Sequence, residues 1–242
     1  MGLPGETYDS FTSNLCGLIE FGTTNGLMIH YCELLSNSKL GRKENIEQYK
    51  IVSARIPYGQ FHTPPTAENT EYSDIIIETF SMNYASWVEA CIFGLFIEGL
   101  FFMGALRYIS VFLHNYCGAS YRDFFEKLIE FAKENENTVI GRYYKELREK
   151  LGGYYTTGTI TRYYYNPLFS EITFSLDEGL CLEVLHNHEL FYSETEELLR
   201  SFAGNSKEFE EVLKFQKMIM RYPEDVEKEE RFSYDFIQYF KE

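Results

Sequence analysis

Positive charge is scarce in this sequence: 22 Lys and Arg stand against 37 Asp and Glu, for a formal net charge of −15 and a pI near 4.8. Nucleic-acid affinity comes largely from Lys and Arg displacing counterions, so this balance argues against a nucleic-acid partner. The acidic excess lies along helical text such as EKLIEFAKENEN and EDVEKEERF, where a solvated face explains it. Cysteine is sparse too. Cys16, Cys32, Cys91, Cys117 and Cys181 are an odd, scattered set with no CxxC or CxxxCxxC spacing, so neither a zinc site nor a local iron–sulfur site is readable from them. They read as reduced, mostly buried thiols of a cytoplasmic protein. No basic segment followed by an apolar one opens the chain, so no signal peptide is expected. Long apolar runs are also missing. In WVEACIFGLFIEGLFFMGALRYISVFL, residues 87–113, Glu89, Glu98 and Arg107 break the run before it reaches the ~18–20 residues of a bilayer span, which predicts a buried helix and no membrane.

What the chain does have is core material. Hydrophobic residues make up 45% of its 242 positions, enough for one large domain or two modest ones. Twenty Tyr and 21 Phe accompany a single Trp, and most of these rings are expected in helix-packing layers where tyrosine keeps its hydroxyl wet.

The first residues, MGLPGETYDSF, place Gly2, Pro4 and Gly5 directly before a helix start. Thr7 is the expected cap, Phe11, Leu15, Leu18 and Ile19 form one stripe, and Gly22 is the stop. LMIHYCELL, residues 27–35, then reads as a strand. Turn, helix and strand in that order are half of a β/α repeat, whose crossover should deliver residues 27–35 as a parallel neighbour of a strand running into MGLPGE. That incoming strand is missing from the sequence.

Residues 56–73, rich in turn formers and containing three of the six prolines, read as a linker. DIIIET beyond it is a short strand, and Ser81 or Asn83 can cap the long apolar helix. S-Y-R-D at 120–123, S-L-D-E at 175–178 and S-E-T-E at 193–196 are capping boxes, each opening helical text. Gly152-Gly153 and Gly204 are helix stops, and SKEFEEVLKFQKMIMRYP predicts a helix before Pro223. YYTTGTITRYYY, with Asn166-Pro167 as a turn and SEITF beyond, predicts a hairpin or an extended arm. The last twenty residues read as a docked helix or a tail.

MGLPGETYDSF resembles the GLPGET segment of radical S-adenosylmethionine enzymes, where a late strand of a partial (β/α)6 barrel turns into its helix. LMIHYCELLSNSKL and ENIEQYKI are similar to the next strand and its exit loop. DIIIETFSMNYASWVEA and YRDFFEKL resemble the C-terminal region of the cobalamin-binding members. The resemblance implies an α/β fragment, the last β/α units of a TIM-like barrel over residues 1–55, followed by a mainly α-helical C-terminal domain over 74–242. It also implies that Gly2, Gly5 and Glu6 lie near bound S-adenosylmethionine, the glutamate either contacting it or holding the loop. Glycines without Cβ permit such an approach, and ligands of these barrels sit at strand ends. The family's cofactors are S-adenosylmethionine, a [4Fe–4S] cluster and, in the cobalamin type, cobalamin; its cluster loop CxxxCxxC is absent here. The implied function is the C-terminal part of a cobalamin-dependent methyltransferase, inactive alone, whose partners are a missing upstream half and a small-molecule substrate.

His30 is the candidate for reaching substrate if its side chain points into the barrel; Glu33 falls on the opposite face at period 2. His186 and His188 read as exposed positions at a helix end, His62 and His114 have no motif around them, and Tyr163–Tyr165 fit packing better than a lid. No Ser/His/Asp order or phosphate-cradling GxxxxGK occurs. A non-catalytic helical interaction or regulatory module is the alternative, and an enzyme split over two chains is a third reading.

Overall fold

A computed structural model of the chain describes residues 1–23, 26–57, 61–65, 71–220 and 229–240. Parts of the expected linker, residues 58–60 and 66–70, and the acidic stretch at 221–228 with Pro223 lie outside the described residues. Thr7 starts α1 (Tyr8–Glu20) with a reciprocal capping box: its Oγ1 accepts from the Ser10 N–H, and Ser10 Oγ accepts from the Thr7 N–H. Phe11, Leu15, Cys16 and Ile19 are buried, whereas Leu18 is exposed, because a 13-residue helix on the surface buries one stripe only.

Residues 27–35 form no regular strand. They run extended, with the Leu34 N–H donating to the Asp74 carbonyl and the Ile76 N–H donating to the Cys32 carbonyl. The resulting bridge between Glu33 and Ile75 is antiparallel. On their other side, the Met1 amine donates to the His30 carbonyl at 2.8 Å and the Cys32 N–H donates to the Met1 carbonyl at 2.8 Å. These two bonds have the pattern of a parallel pair, but with a single residue as neighbour no ladder forms there.

After α2 (Lys43–Tyr49), β1 (Val52–Pro57) pairs antiparallel with β2 (Tyr72–Glu78), placing Ala54 opposite Ile75. β2 thus has backbone neighbours on both edges, and Ile75, Ile76 and Ile77 are all fully buried, so packing covers both of its faces. β1 went unread in the sequence because its residues run straight into proline-rich text. Among the described residues there is no closed barrel, and both sheets are two-stranded and antiparallel. No parallel ladder forms among the described residues, where residues 27–35 have only Met1 as a parallel neighbour, so the expected parallel barrel units do not appear there.

The rest is helical. Asn83 caps α3 (Tyr84–Phe96), which continues without a break into a π-helical segment, Ile97–Phe102. This 19-residue helix is long and apolar enough to cross a membrane by length and composition, and 83% of its most apolar window is buried inside the protein. The charges that interrupt residues 87–113 go three ways: Glu89 pairs with Arg148 at the surface, Glu98 is buried in the helix, and Arg107, beyond its end, donates to the Phe101 and Phe102 carbonyls. Around it pack α4 (Arg107–Cys117), α5 (Tyr121–Glu134, capped by Ser120) and α6 (Val139–Gly152, capped by Thr138). One helical turn, α7 (Tyr154–Thr157), leads to a small hairpin of β3 (Tyr163–Tyr164) and β4 (Phe174–Ser175), with Asn166 in its turn. Ser175 and Glu178 form the expected capping box of α8 (Leu176–His186).

S-E-T-E at 193–196 is not a helix start. It lies inside α9 (His188–Ala203), which begins where Asn187 hinges the chain and ends at Gly204. α10 (Lys207–Ile219) is capped by Ser206, and a last turn, α11 (Phe236–Tyr239), docks through the buried Phe236. Several tyrosine hydroxyls expected to stay wet instead satisfy buried carbonyls: Tyr84 donates to Leu151 at 2.5 Å, Tyr143 to Leu176 at 2.6 Å and Tyr192 to Ala105 at 2.6 Å. Each hydroxyl thereby finds a backbone acceptor inside the protein.

Gly179 sets the distance between α8 and α6. A Cβ there would stand 2.4 Å from the Tyr143 hydroxyl and 2.4 Å from the Tyr164 ring. Gly179→Ala is therefore expected to cost roughly 1–3 kcal/mol through overpacking, read as a fall of several degrees in Tm; an unchanged or raised Tm would contradict this packing.

Candidate functional site

Two glycines on one buried helix prepare a cavity. At Gly94 an added Cβ would meet the end of the Ile29 side chain, Cδ1, at 2.7 Å, so Ile29 packs directly onto α3 there. At Gly99 a Cβ would meet the Asp177 carbonyl oxygen at 2.8 Å, so the N-terminus of α8 comes down on the π-helical segment. Glu98 lies between these approaches. Its Oε1 accepts the Ile29 N–H at 2.7 Å, fixing the extended segment to the helix. π-helical turns inside α-helices are frequent at functional sites.

The space left between the extended segment, the helix and the start of α8 is a cavity of about 230 Å³. Tyr31, Cys91, Glu98, Arg162 and Asp177 supply its polar walls; Ile29, Leu95 and Leu176 supply apolar ones. His30, Phe61, His62 and Glu178 also line it, and His62 Nε2 lies 3.1 Å from both oxygens of the Glu178 carboxylate. Arg162 precedes β3, and its guanidinium carbon lies 4.5 Å from the centroid of the Tyr31 ring.

Burial decides the protonation of the acids. It raises Glu98 to about 8 against the opposing effect of the Ile29 N–H, with nearby Asp177 pushing the same way. Asp177 is itself raised by burial, although Ser175 and the helix N–H groups favour its charge. Glu98 is therefore largely neutral at pH 7 and can donate as well as accept. Burial also pushes the Tyr31 hydroxyl and the Cys91 thiol well above their ordinary values, so Cys91 is not a thiolate despite its hydrogen bond to Tyr31.

Of the residues singled out in the sequence, His30 lines this cavity and Gly2, Gly5 and Glu6 do not. Gly2, at φ +96°, has its N–H bonded to Glu6 Oε2 at 2.7 Å, and the Gly5 N–H donates to Ser81 Oγ at 2.9 Å. Glu6 therefore holds the loop, and both glycine N–H groups are satisfied within the chain. Glu33 accepts from Ser73 Oγ at 3.2 Å, away from the cavity lining. His186 is exposed, but His188 is mostly buried with an unpartnered Nε2, because α9 starts at it. Sequence reading missed Arg162, Glu98 and Asp177 as site residues. The available signals were a lone Glu inside an apolar run and an Arg inside aromatic text.

No group of three or more His, Cys, Asp or Glu among the described residues converges to hold a metal ion, and all five cysteines are free. These residues do not fit an iron–sulfur cluster.

No protein-family model matches the chain. Over 99% of its length it is 26% identical to the cobalamin-dependent radical SAM methyltransferase TokK of Streptomyces tokunonensis. Over 62% of its length it is 27% identical to the 2-(S-pantetheinyl)-carbapenam-3-carboxylate methyltransferase of Streptantibioticus cattleyicolor. The chain spans 38% of the length of the first relative, and its match covers 22% of the second. The resemblance to cobalamin-type radical-SAM enzymes carried by MGLPGETYDSF thus extends along the chain.

The buried acid makes a pH prediction. Glu98 has a folded-state value near 8 against 4.5 for the free side chain, so the folded protein keeps a proton that the unfolded chain releases. Its contribution to stability is full below about pH 4.5, declines as pH rises towards about 8 and is level beyond. Glu98→Gln keeps an acceptor for the Ile29 N–H and removes the ionisation. Its Tm is expected to match that of the parent near pH 4.5 and to exceed it by several degrees at pH 8.5; equal Tm values at both pH values would contradict the assignment.

Proposed function

We propose that this chain is the C-terminal, substrate-holding part of a cobalamin-dependent radical-SAM methyltransferase. The observation that carries the proposal is the alignment to the TokK relative over 99% of the chain. In this reading the cavity holds a small-molecule methyl acceptor, and the cluster and cobalamin are bound by residues outside this sequence. Residues 27–31, the π-helical segment and the start of α8 orient the acceptor and exclude water from it. Neutral Glu98 and the Asp177 carboxyl, which burial shifts towards its protonated form, hydrogen-bond its polar groups, and the Tyr31 ring packs against its body. Gly2, Gly5 and Glu6 keep Met1 and residue 31 in register, so the loop positions the cavity wall beside the shared S-adenosylmethionine.

The test is complementation. The chain is co-expressed with a polypeptide that carries the cluster-binding and cobalamin-binding regions of such a methyltransferase. Methyl label from S-adenosylmethionine is then followed into low-molecular-mass products under reducing, anaerobic conditions. Labelled product is expected from the pair and from neither polypeptide alone. A folded, associated pair that leaves all label on S-adenosylmethionine would contradict the proposal.

A further inference from the structure

Arg162 is the one Arg or Lys among the described residues lining the cavity. Its Nε is buried and has no hydrogen-bond partner. No ion pair within 4 Å forms to it from any described carboxylate, including Glu98, Asp177 and Glu178, which line the same cavity. Its neighbour is the Tyr31 ring, over which the guanidinium carbon lies 4.5 Å from the centroid. Two other arginines show the contrast: Arg122 bonds Asp9, Glu126 and Ser13, and Arg200 bonds Glu196, Glu210 and Asn205. A buried guanidinium N–H without an acceptor is costly, and a planar fork of donors is the shape that meets a carboxylate in two parallel bonds.

We infer that Arg162 is the anchor for a carboxylate group of the small molecule bound in this cavity. The local charge favours that anion over a phosphate. One guanidinium compensates one negative charge, and the second charge of a phosphate would stand beside the Asp177 and Glu178 carboxyl groups. The acids of the cavity do not occupy the anchor: none of Glu98, Asp177 and Glu178 forms an ion pair with Arg162, and burial favours the protonated form of Glu98 and Asp177. Backbone holds the anchor in place: the Thr161 N–H donates to the Lys150 carbonyl at 3.0 Å, and Tyr163 and Tyr164 enter the β3–β4 hairpin.

The inference rests on the reading of this cavity as the substrate site, and its test avoids methyl transfer so that the two can fail separately. Trp87, the single tryptophan, lies 5.5 Å from the Tyr31 ring by centroids and reports on that wall by its fluorescence. Cyclohexanecarboxylate, the isosteric cyclohexanecarboxamide and inorganic phosphate are titrated into the full chain by fluorescence and calorimetry. The carboxylate is expected to bind, and the amide and phosphate at least tenfold more weakly. Arg162→Gln should lose the preference for carboxylate over amide, and Arg162→Lys should keep part of it as a point charge. Circular dichroism and Tm checks ensure that folded variants are compared. No carboxylate binding up to tens of millimolar, equal binding of carboxylate and amide, a preference for phosphate, or an unchanged preference in Arg162→Gln would each overturn the inference. A positive binding result beside a failed complementation would overturn the methyl-transfer reading alone.

Discussion

The hydrogen bond from the Ile29 N–H to the buried Glu98 carboxyl is the interaction on which the site depends. It joins an extended segment with almost no ladder of its own to a helix that is almost wholly buried. Without Cβ atoms at Gly94 and Gly99, both Ile29 and the Asp177 backbone come close enough to enclose Glu98, and the same closeness lifts its pKa. One local constraint therefore sets the cavity wall, the charge of that wall and the position of α8. The π-helical turn at Ile97–Phe102 is part of the same device, because it widens the helix where those two segments meet it.

The helices around this centre are tied at their ends by buried polar bonds. Tyr84, Tyr143 and Tyr192 each reach a carbonyl at a helix boundary, and Gln216 bonds both the Gly104 carbonyl and the Tyr108 N–H. The aromatic richness of the sequence serves these ties as well as packing. Arg162 stands apart from this economy, as a cation held by a ring face with part of its hydrogen-bonding capacity unused.

Local signals in the sequence were legible where a residue acts on its own backbone. Thr7, Asn83, Ser120 and Ser175 cap the helices they were expected to cap, and Gly204 ends α9. The same rule misled at Ser193, where a capping pattern sits inside a helix that starts earlier, at His188, because a cap matters only where the chain enters a helix. Residues 27–35 have strand composition, but a strand is made by its neighbours, and those are decided by distant residues. The cavity was hidden for a similar reason. Glu98 read as an interruption in an apolar run, Asp177 as one letter of a capping box and Arg162 as part of an aromatic arm; only folding brings the three to one wall. The family resemblance, by contrast, lay in contiguous text and was readable from the opening turn onward.

The most direct test of this arrangement is a carbon-13 NMR titration of the Glu98 side-chain carboxyl in the intact chain. Enclosure between residues 27–31 and the start of α8 predicts a midpoint near 8. A midpoint near the ordinary glutamate value of 4.5 would mean that Glu98 faces water, and the cavity described here would not exist in that form.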